Sequence, residues 1–428
     1  MSTPMPSSAS SGAPAIDLSF IRAEFPSLQL RIDGQPVSFF DGPGGTQVPK
    51  CVIDAVVRYL IFENANTHGA FLTSQKTDEI IEEGRRSMAD FLGADPSEIA
   101  FGANMTTLNY ALSRAIGRDL GPGDEIVITD LDHEANRGPW LDLAELGVVI
   151  KSVRVNTEDC TLDMDDFEEK VGPKTRVIAC GYASNAVGTV NDVKRVVEMG
   201  QEVGAITVID AVHYALHGSI DVKNLGCDFL LCSAYKFFGP HLGVLYGRKD
   251  AFRSLKTYKL APQEEAPPAK IETGTLNHEG IAGAIAAVDF ISRIGERFLD
   301  TSRGVPSRRD LVIAGMTAIE EYEKPMAKRL IEGLMQIRGV KVYGPPIDGP
   351  RTSTVSFTLE GKTPKEVASD LGRRGIFVWD GDFYATTLVK RLGLAESGGL
   401  VRIGLAPYNT PEEVERLLEA IESIAIRG

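Results

Sequence analysis

A chain of 428 residues, 43% hydrophobic and 24% charged, is too long for one ordinary core and has the balance of a globular protein, so a large domain with a smaller one is expected. Its net charge of −14 argues against a nucleic-acid or anionic-membrane partner. No apolar run approaches the roughly 18–20 residues needed to span a bilayer.

Residues 1–15 are rich in Ser, Pro and Ala and lack a basic segment before an apolar one. A disordered tail is expected there rather than a signal peptide. An irregular lead-in follows over 16–50, with Asp41-Gly-Pro-Gly-Gly45 as its turn. Helical spacing runs from Thr77 to Leu92 and from Leu108 to Ile116. A regular alternation then begins. Strands are expected at 125–129, 148–155, 176–182, 206–212, 229–233 and 243–246, with helices at 135–146 and 193–203 between them. Strands separated by helices of this length indicate βαβ units and a mostly parallel sheet. Past a polar stretch at 303–309 the pattern changes to a long helix from Leu311, strands at 354–359 and 400–405, and a closing helix at 411–426. The expected division is therefore a large domain over 16–300 and a smaller α+β domain over 301–428.

The five cysteines, Cys51, Cys160, Cys180, Cys227 and Cys232, have neither metal-ligand nor disulfide spacing. Cys180 and Cys232 sit in apolar strand runs, where a buried reduced thiol is the usual meaning. A cytoplasmic protein fits this usage.

The chemistry concentrates in Val208-Ile-Asp-Ala-Val-His213 and Asp228-Phe-Leu-Leu-Cys-Ser-Ala-Tyr-Lys-Phe-Phe-Gly-Pro240. Asp210 ends a β-branched strand, and ligands of open α/β sheets bind outside such strand ends. An acid buried there needs a cation. Lys236 follows a second apolar strand and sits among Tyr, Phe and Gly, a setting that lowers an amine's pKa and favours nucleophilic use. Taken singly, the lysine could be a snorkelling surface group and the aspartate a helix cap.

Together, the aspartate at a strand end and the strand leading into Ser-x-x-Lys resemble the fold type I enzymes that use pyridoxal 5'-phosphate (PLP). The closest resemblance is to the class V aminotransferase and cysteine desulfurase-like family, over about Ala15 to Thr410. It implies an α/β fold whose large domain holds a mostly parallel seven-stranded sheet. It also implies that Lys236 carries PLP as a Schiff base and that Asp210 keeps the pyridine nitrogen protonated, so that the ring is an electron sink. Ser233 would contact the phosphate and His213 would lie near the cofactor's phenolic oxygen. Gly102-Ala-Asn-Met-Thr-Thr107 opens a helix whose free N–H groups suit an anion. By resemblance Ala103, Asn104 and Met105 cradle the phosphate; alone, Asn104 could be an ordinary helix cap.

The same resemblance makes His133 the histidine that stacks on the pyridine ring and moves protons. It puts Asn185 beside the phenolic oxygen, and Thr275 in the phosphate site of a partner subunit, implying a homodimer with shared sites. Arg402, in an apolar strand, would hold the substrate carboxylate through its planar fork. His68 stands where many members have an arginine near the substrate.

The sequence departs from the desulfurase pattern at the substrate side. Aligning Gly375-Ile-Phe-Val-Trp-Asp-Gly-Asp-Phe-Tyr-Ala385 with the loop that carries the persulfide cysteine puts Tyr384 at that position, and no cysteine follows Cys232. His213 replaces the common glutamine, and Tyr235 the histidine before the lysine. The expectation is an enzyme on an amino-acid substrate doing C–S lyase or β-elimination chemistry without a thiol relay. Transamination, epimerisation and decarboxylation remain open, as does a non-catalytic protein that keeps the fold. The Ser-x-x-Lys pattern of penicillin-binding serine enzymes is also matched, but its companions Ser-Asp-Asn and Lys-Thr-Gly are absent. Gly121-Pro-Gly-Asp124 precedes a strand and is a turn.

Overall fold

The computed structural model describes residues 16–299 and 305–426. The tail expected over 1–15 and the boundary expected at 300/301 lie outside the described residues. A central sheet is built from β1 (Ile99–Gly102), β2 (Glu125–Thr129), β3 (Val149–Val153), β4 (Thr175–Gly181), β5 (Ile206–Asp210), β6 (Phe229–Ser233) and β7 (Gly243–Gly247). The order across the sheet is β1-β7-β6-β5-β4-β2-β3. Only β7 runs against its neighbours; the β5–β6, β4–β5, β2–β4 and β2–β3 pairs are parallel. The Val- and Ile-rich strands are nearly all buried, as a sheet covered on both faces demands.

The covering helices are α1 (Lys50–Phe62), α2 (Leu72–Leu92), α3 (Met105–Gly117), α4 (Glu134–Leu141), α5 (Val193–Val203) and α6 (His278–Gly295). Asn104, His133, Asp192 and Asn277 are the N-caps of α3, α4, α5 and α6. The single helix expected over 135–146 is α4 followed by a tighter turn at Asp142–Leu146. Pro139 lies inside that stretch and removes one N–H donor. The strand expected over 148–155 breaks at Arg154, after which Val155–Asn156 pairs with Thr161–Leu162 instead.

A long helix α7 (Arg308–Gln336) leads to a second sheet of β8 (Val340–Tyr343), β9 (Thr354–Leu359), β10 (Trp379–Gly381) and β11 (Leu400–Gly404), ordered β8-β9-β11-β10. α8 (Pro364–Arg373) and α9 (Pro411–Ile426) pack on it. The two cores are not cut cleanly by chain position. Val312, Met316 and Ile319 of α7 belong to the core around the seven-stranded sheet, whereas Met326, Leu330 and Leu334 belong to the other. The lead-in also crosses over. Ser38–Phe39 pairs with Ile376–Phe377, and Phe40 is buried in the second core.

Candidate active site

The carboxyl ends of β2, β4, β5 and β6 converge on one cleft of about 580 Å³, open solvent at its mouth included, lined by His133, Asn185, Asp210, His213, Ser233 and Lys236. Such an edge is where open α/β sheets bind ligands. The turn after β6 brings Lys236 back over the sheet, and the lead-in turn closes on it from above. Pro43 O accepts from Lys236 Nζ, and Thr46 N–H donates to Tyr235 O at 3.1 Å. Gly404 makes this crossing possible, because a Cβ there would stand 1.9 Å from Pro43 Cδ.

Desolvation dominates the electrostatics. Burial, reinforced by the nearby Arg402 cation, lowers the Lys236 amine to about 7 against the opposing pull of Asp210. Burial raises the Asp210 carboxyl to about 7, with the Asp132 charge adding to it and the Val212 N–H and Lys236 opposing. Asp210 Oδ1 accepts from Val212 N–H at 2.9 Å, and it makes no other side-chain hydrogen bond among the described residues. His133 is brought down to about 4 by burial and then by Lys236 and Arg402. Its Nδ1 accepts from Ala135 N–H at 2.9 Å, so the neutral ring carries its hydrogen on Nε2.

At the rim of the sheet, α3 points its N-terminus at the cleft. Asn104 is a helix cap: its Oδ1 accepts from Thr107 N–H at 2.9 Å, and its own N–H donates back to Thr107 Oγ1 at 3.3 Å. Met105 N–H donates to Ser233 Oγ at 3.0 Å, joining two of the expected phosphate contacts. The start of β7 presses against this turn, where a Cβ on Gly243 would meet Asn104 C at 2.4 Å. Ala103 and Thr275 lie elsewhere, exposed together along an outer groove of the same chain. His68 does not line the cleft either; its side chain is exposed, with Nδ1 3.5 Å from Asp78.

Arg402 on β11 is 4% exposed and forms no ion pair among the described residues. Nη1 donates to Asn185 O at 3.0 Å, Nε has no partner, and burial holds the guanidinium down to about 9. The Phe383 ring covers it, 4.1 Å from the guanidinium carbon. Phe383 and Tyr384 both have left-handed backbones, φ 57° and 58°, which cost a non-glycine residue about 1–2 kcal/mol each. Three contacts hold them: Asn185 Nδ2 donates to Phe383 O at 2.9 Å, Glu134 N–H donates to Tyr384 O at 2.7 Å, and the Tyr384 ring stacks on His133 with centroids 5.4 Å apart.

The structure adds Phe383 and Asp132 to the residues expected from sequence, and places Tyr235, the residue expected before the lysine, in the cleft lining. Asp132 lines the cleft and accepts from Gly181 N–H and Asn136 Nδ2, both at 2.9 Å. Its position after β2, beside His133, was the available signal. No cysteine lines the cleft. Burial raises Cys160 to about 11 and Cys227 to about 12, and pushes the Cys180 and Cys232 thiols up as well.

These residues suit PLP. The cleft pairs an acid with a desolvated lysine, ends on a helix N-terminus, and leaves Asn185 Oδ1 buried without a partner; Arg402, bonded to Asn185 O, is outside its lining. Comparison with known proteins agrees. The family model for aminotransferase class-V matches residues 38–302 and 310–417. A probable cysteine desulfurase of Mycolicibacterium paratuberculosis is 33% identical over 96% of this chain, which spans 59% of that protein's length. An aminotransferase-like protein of Gibberella zeae is 32% identical, with 94% of this chain and 97% of that protein covered. A cysteine desulfurase structure from Thermococcus onnurineus superposes with a TM-score of 0.84 at 30% identity, covering 96% of this chain and 98% of its own. An Escherichia coli cysteine desulfurase gives 0.82 at 25% identity, covering 97% and 99%. This chain belongs to the aminotransferase class-V family, in the fold of the type I PLP-dependent enzymes.

Proposed function

We propose that the protein is a PLP-dependent enzyme that removes a β-substituent from an amino acid, C–S lyase or β-elimination chemistry, without a persulfide cysteine. When bound, the cofactor supplies an electron sink for charge developing at the substrate α-carbon. Lys236 holds it and, as an amine lowered to about 7, is matched to taking a proton from that carbon near neutral pH. Asp210 would pair with the pyridine nitrogen and keep a proton there. Ser233 and the α3 N-terminus would hold the phosphate, and Asn185 and His213 would meet the phenolic oxygen. His133, neutral and with Nε2–H fixed, would stack on the ring and pass a proton to a leaving group. Arg402 receives the substrate carboxylate, and Phe383 and Tyr384 wall off water.

Thr275 and His68 fit this scheme only as contributions across a homodimer, whereas Ala103 would act in its own chain, next to Asn104 and Met105 of the cleft lining. The exposed apolar side chains Val57, Leu60, Ile61, Phe62, Phe71 and Leu72 on α1 and the start of α2 offer a surface for one. The division near residue 300 and a cytoplasmic location belong to the same proposal; no helix among the described residues is long and apolar enough to cross a membrane.

The observation that carries the elimination reading is the absence of any thiol from the cleft, with Tyr384 in the loop facing it. Persulfide relay needs a thiolate, and burial makes these thiols poor nucleophiles. The test is an amino-acid panel against a variant with all five cysteines changed to Ala or Ser, following pyruvate, sulfide and keto-acid release. Turnover within a few-fold of wild type is expected. A persulfide on a wild-type cysteine, with activity lost on its removal, would restore the desulfurase reading that the relatives' names favour.

A further inference from the structure

Behind His213, on the side away from Lys236, lies a second set of buried polar groups that the scheme above does not use. His217, four residues on, points Nδ1 at Glu323 Oε2 of α7 at 2.7 Å, with the two side chains only 6% and 4% exposed. Ser353 Oγ is 2.9 Å from the same Glu323 oxygen and 3.2 Å from Leu405 O, which its hydroxyl can reach as donor. Glu323 Oε1 has no partner. A carboxylate this buried keeps its charge only against a cation in contact. Lys324 and Lys328 pair with Glu320 and Asp348 instead, leaving His217 for Glu323.

The pair is tied to His213 in two ways. The two imidazoles stand 5.1 Å apart, centroid to centroid. The segment that carries Ser353 also carries Thr352 and Thr354, whose hydroxyls meet His213 Nε2 at 3.3 and 3.0 Å. His213 is thus gripped at Nε2, leaving the rest of the ring to the cleft. The charged groups around it are Asp210 on its own segment, Lys236 from the β6 turn, Arg402 from β11 and the His217–Glu323 pair. The pair also borders a solvent-open cavity of about 1300 Å³, where Glu320, Lys324, Lys328, Asp348 and Arg351 are the other charged residues of the lining.

We propose that Glu323 and His217 are positioning residues for His213: with Ser353 they anchor the segment whose Thr352 and Thr354 hydroxyls hold its ring at the cleft. This rests on the PLP reading of the cleft. Burial lowers the His213 imidazole well below its ordinary value, so the held ring faces the cleft uncharged.

The experiment is a pH titration of the visible absorbance of the PLP-loaded protein, with histidine NMR of the cofactor-free protein alongside. Glu323→Ala removes the acceptor shared by Ser353 and His217, so the absorbance midpoint and the His213 resonances should both move away from wild type. Glu323→Gln, whose amide oxygen still accepts from Ser353, should stay near wild type. The double variant His217→Leu/Glu323→Leu leaves no unpaired polar group at the two positions, guards against misfolding, and should shift as Glu323→Ala does. Midpoints of the Ala and double variants within about 0.2 of wild type, with unchanged His213 resonances, would overturn the proposal. A wild-type protein that takes up no PLP would overturn the cofactor reading itself.

Discussion

Replacing Arg402 by Met should make the cofactor-free protein more stable while ruining its use of carboxylate substrates. Burial takes the guanidinium from 12.5 to about 9, which corresponds to about 5 kcal/mol of unfavourable charging in the fold. For a base whose folded value is lowered, that cost is fully present below pH 9 and disappears only as pH rises towards 12.5, so neutral pH carries all of it. Methionine loses the bond from Nη1 to Asn185 O, about 1.5–3 kcal/mol for a charged donor, and the contact with the Phe383 ring, about 1 kcal/mol. The balance is a gain of about 1–2 kcal/mol, within the range seen when buried charges are replaced by apolar groups. Urea unfolding of the cofactor-free variant at pH 7 reads the gain. Steady-state kinetics with the best substrate of the amino-acid panel should show KM raised about 100-fold or more, as expected when a bidentate carboxylate contact is lost. A variant destabilised by more than about 1 kcal/mol, or one with unchanged KM, would mean that Arg402 is satisfied within the fold and is no receptor.

Three further outcomes are expected. Borohydride should fix PLP irreversibly on Lys236 in wild type and on no residue in Lys236→Ala, as read by peptide mapping; a pyridoxyl group on another lysine would refute the assignment. Asp210, an acid whose folded value is raised to about 7, should make the cofactor-free protein less stable as pH climbs from about 4 to 7. Asp210→Asn should flatten that slope in chemical unfolding and lower turnover by several powers of ten, at about 1.4 kcal/mol for each. Mixing inactive Lys236→Ala chains with inactive Thr275→Ala chains should restore part of the activity if each site draws on two chains; a fully active monomer in sedimentation and assay would exclude that.

The strands at 125–129, 229–233 and 354–359 and the helices at 193–203 and 411–426 were legible to the residue. In the strands, β-branched and aromatic runs end at turn residues; in the helices, apolar spacing is clear on one face. Helix α1 was not legible, because Ile53, Val57, Leu60 and Ile61 are exposed and blur the division into faces. Helix α6 was hidden by its Gly and Ala residues, which pack without a strong apolar stripe. In the site, Asp210, Ser233 and Lys236 could be found because they sit at or just past strand ends. Phe383 could not. Its cover over Arg402 depends on a left-handed backbone held by Asn185, 198 residues away, and nothing local marks it.

Helix α7 has a mechanical consequence. Its first half is gripped by one core and its second half by the other, so a relative tilt of the two sheets would bend this rod as well as load the lead-in that also joins them. The rod has a built-in soft point. Pro325 lies between the two grips and has no N–H to donate, so flexing there breaks no hydrogen bond of its own. Arg402 rides on one side of that point and Lys236 on the other. Stiffening residue 325 is therefore expected to act on the spacing of these two side chains from outside the cleft.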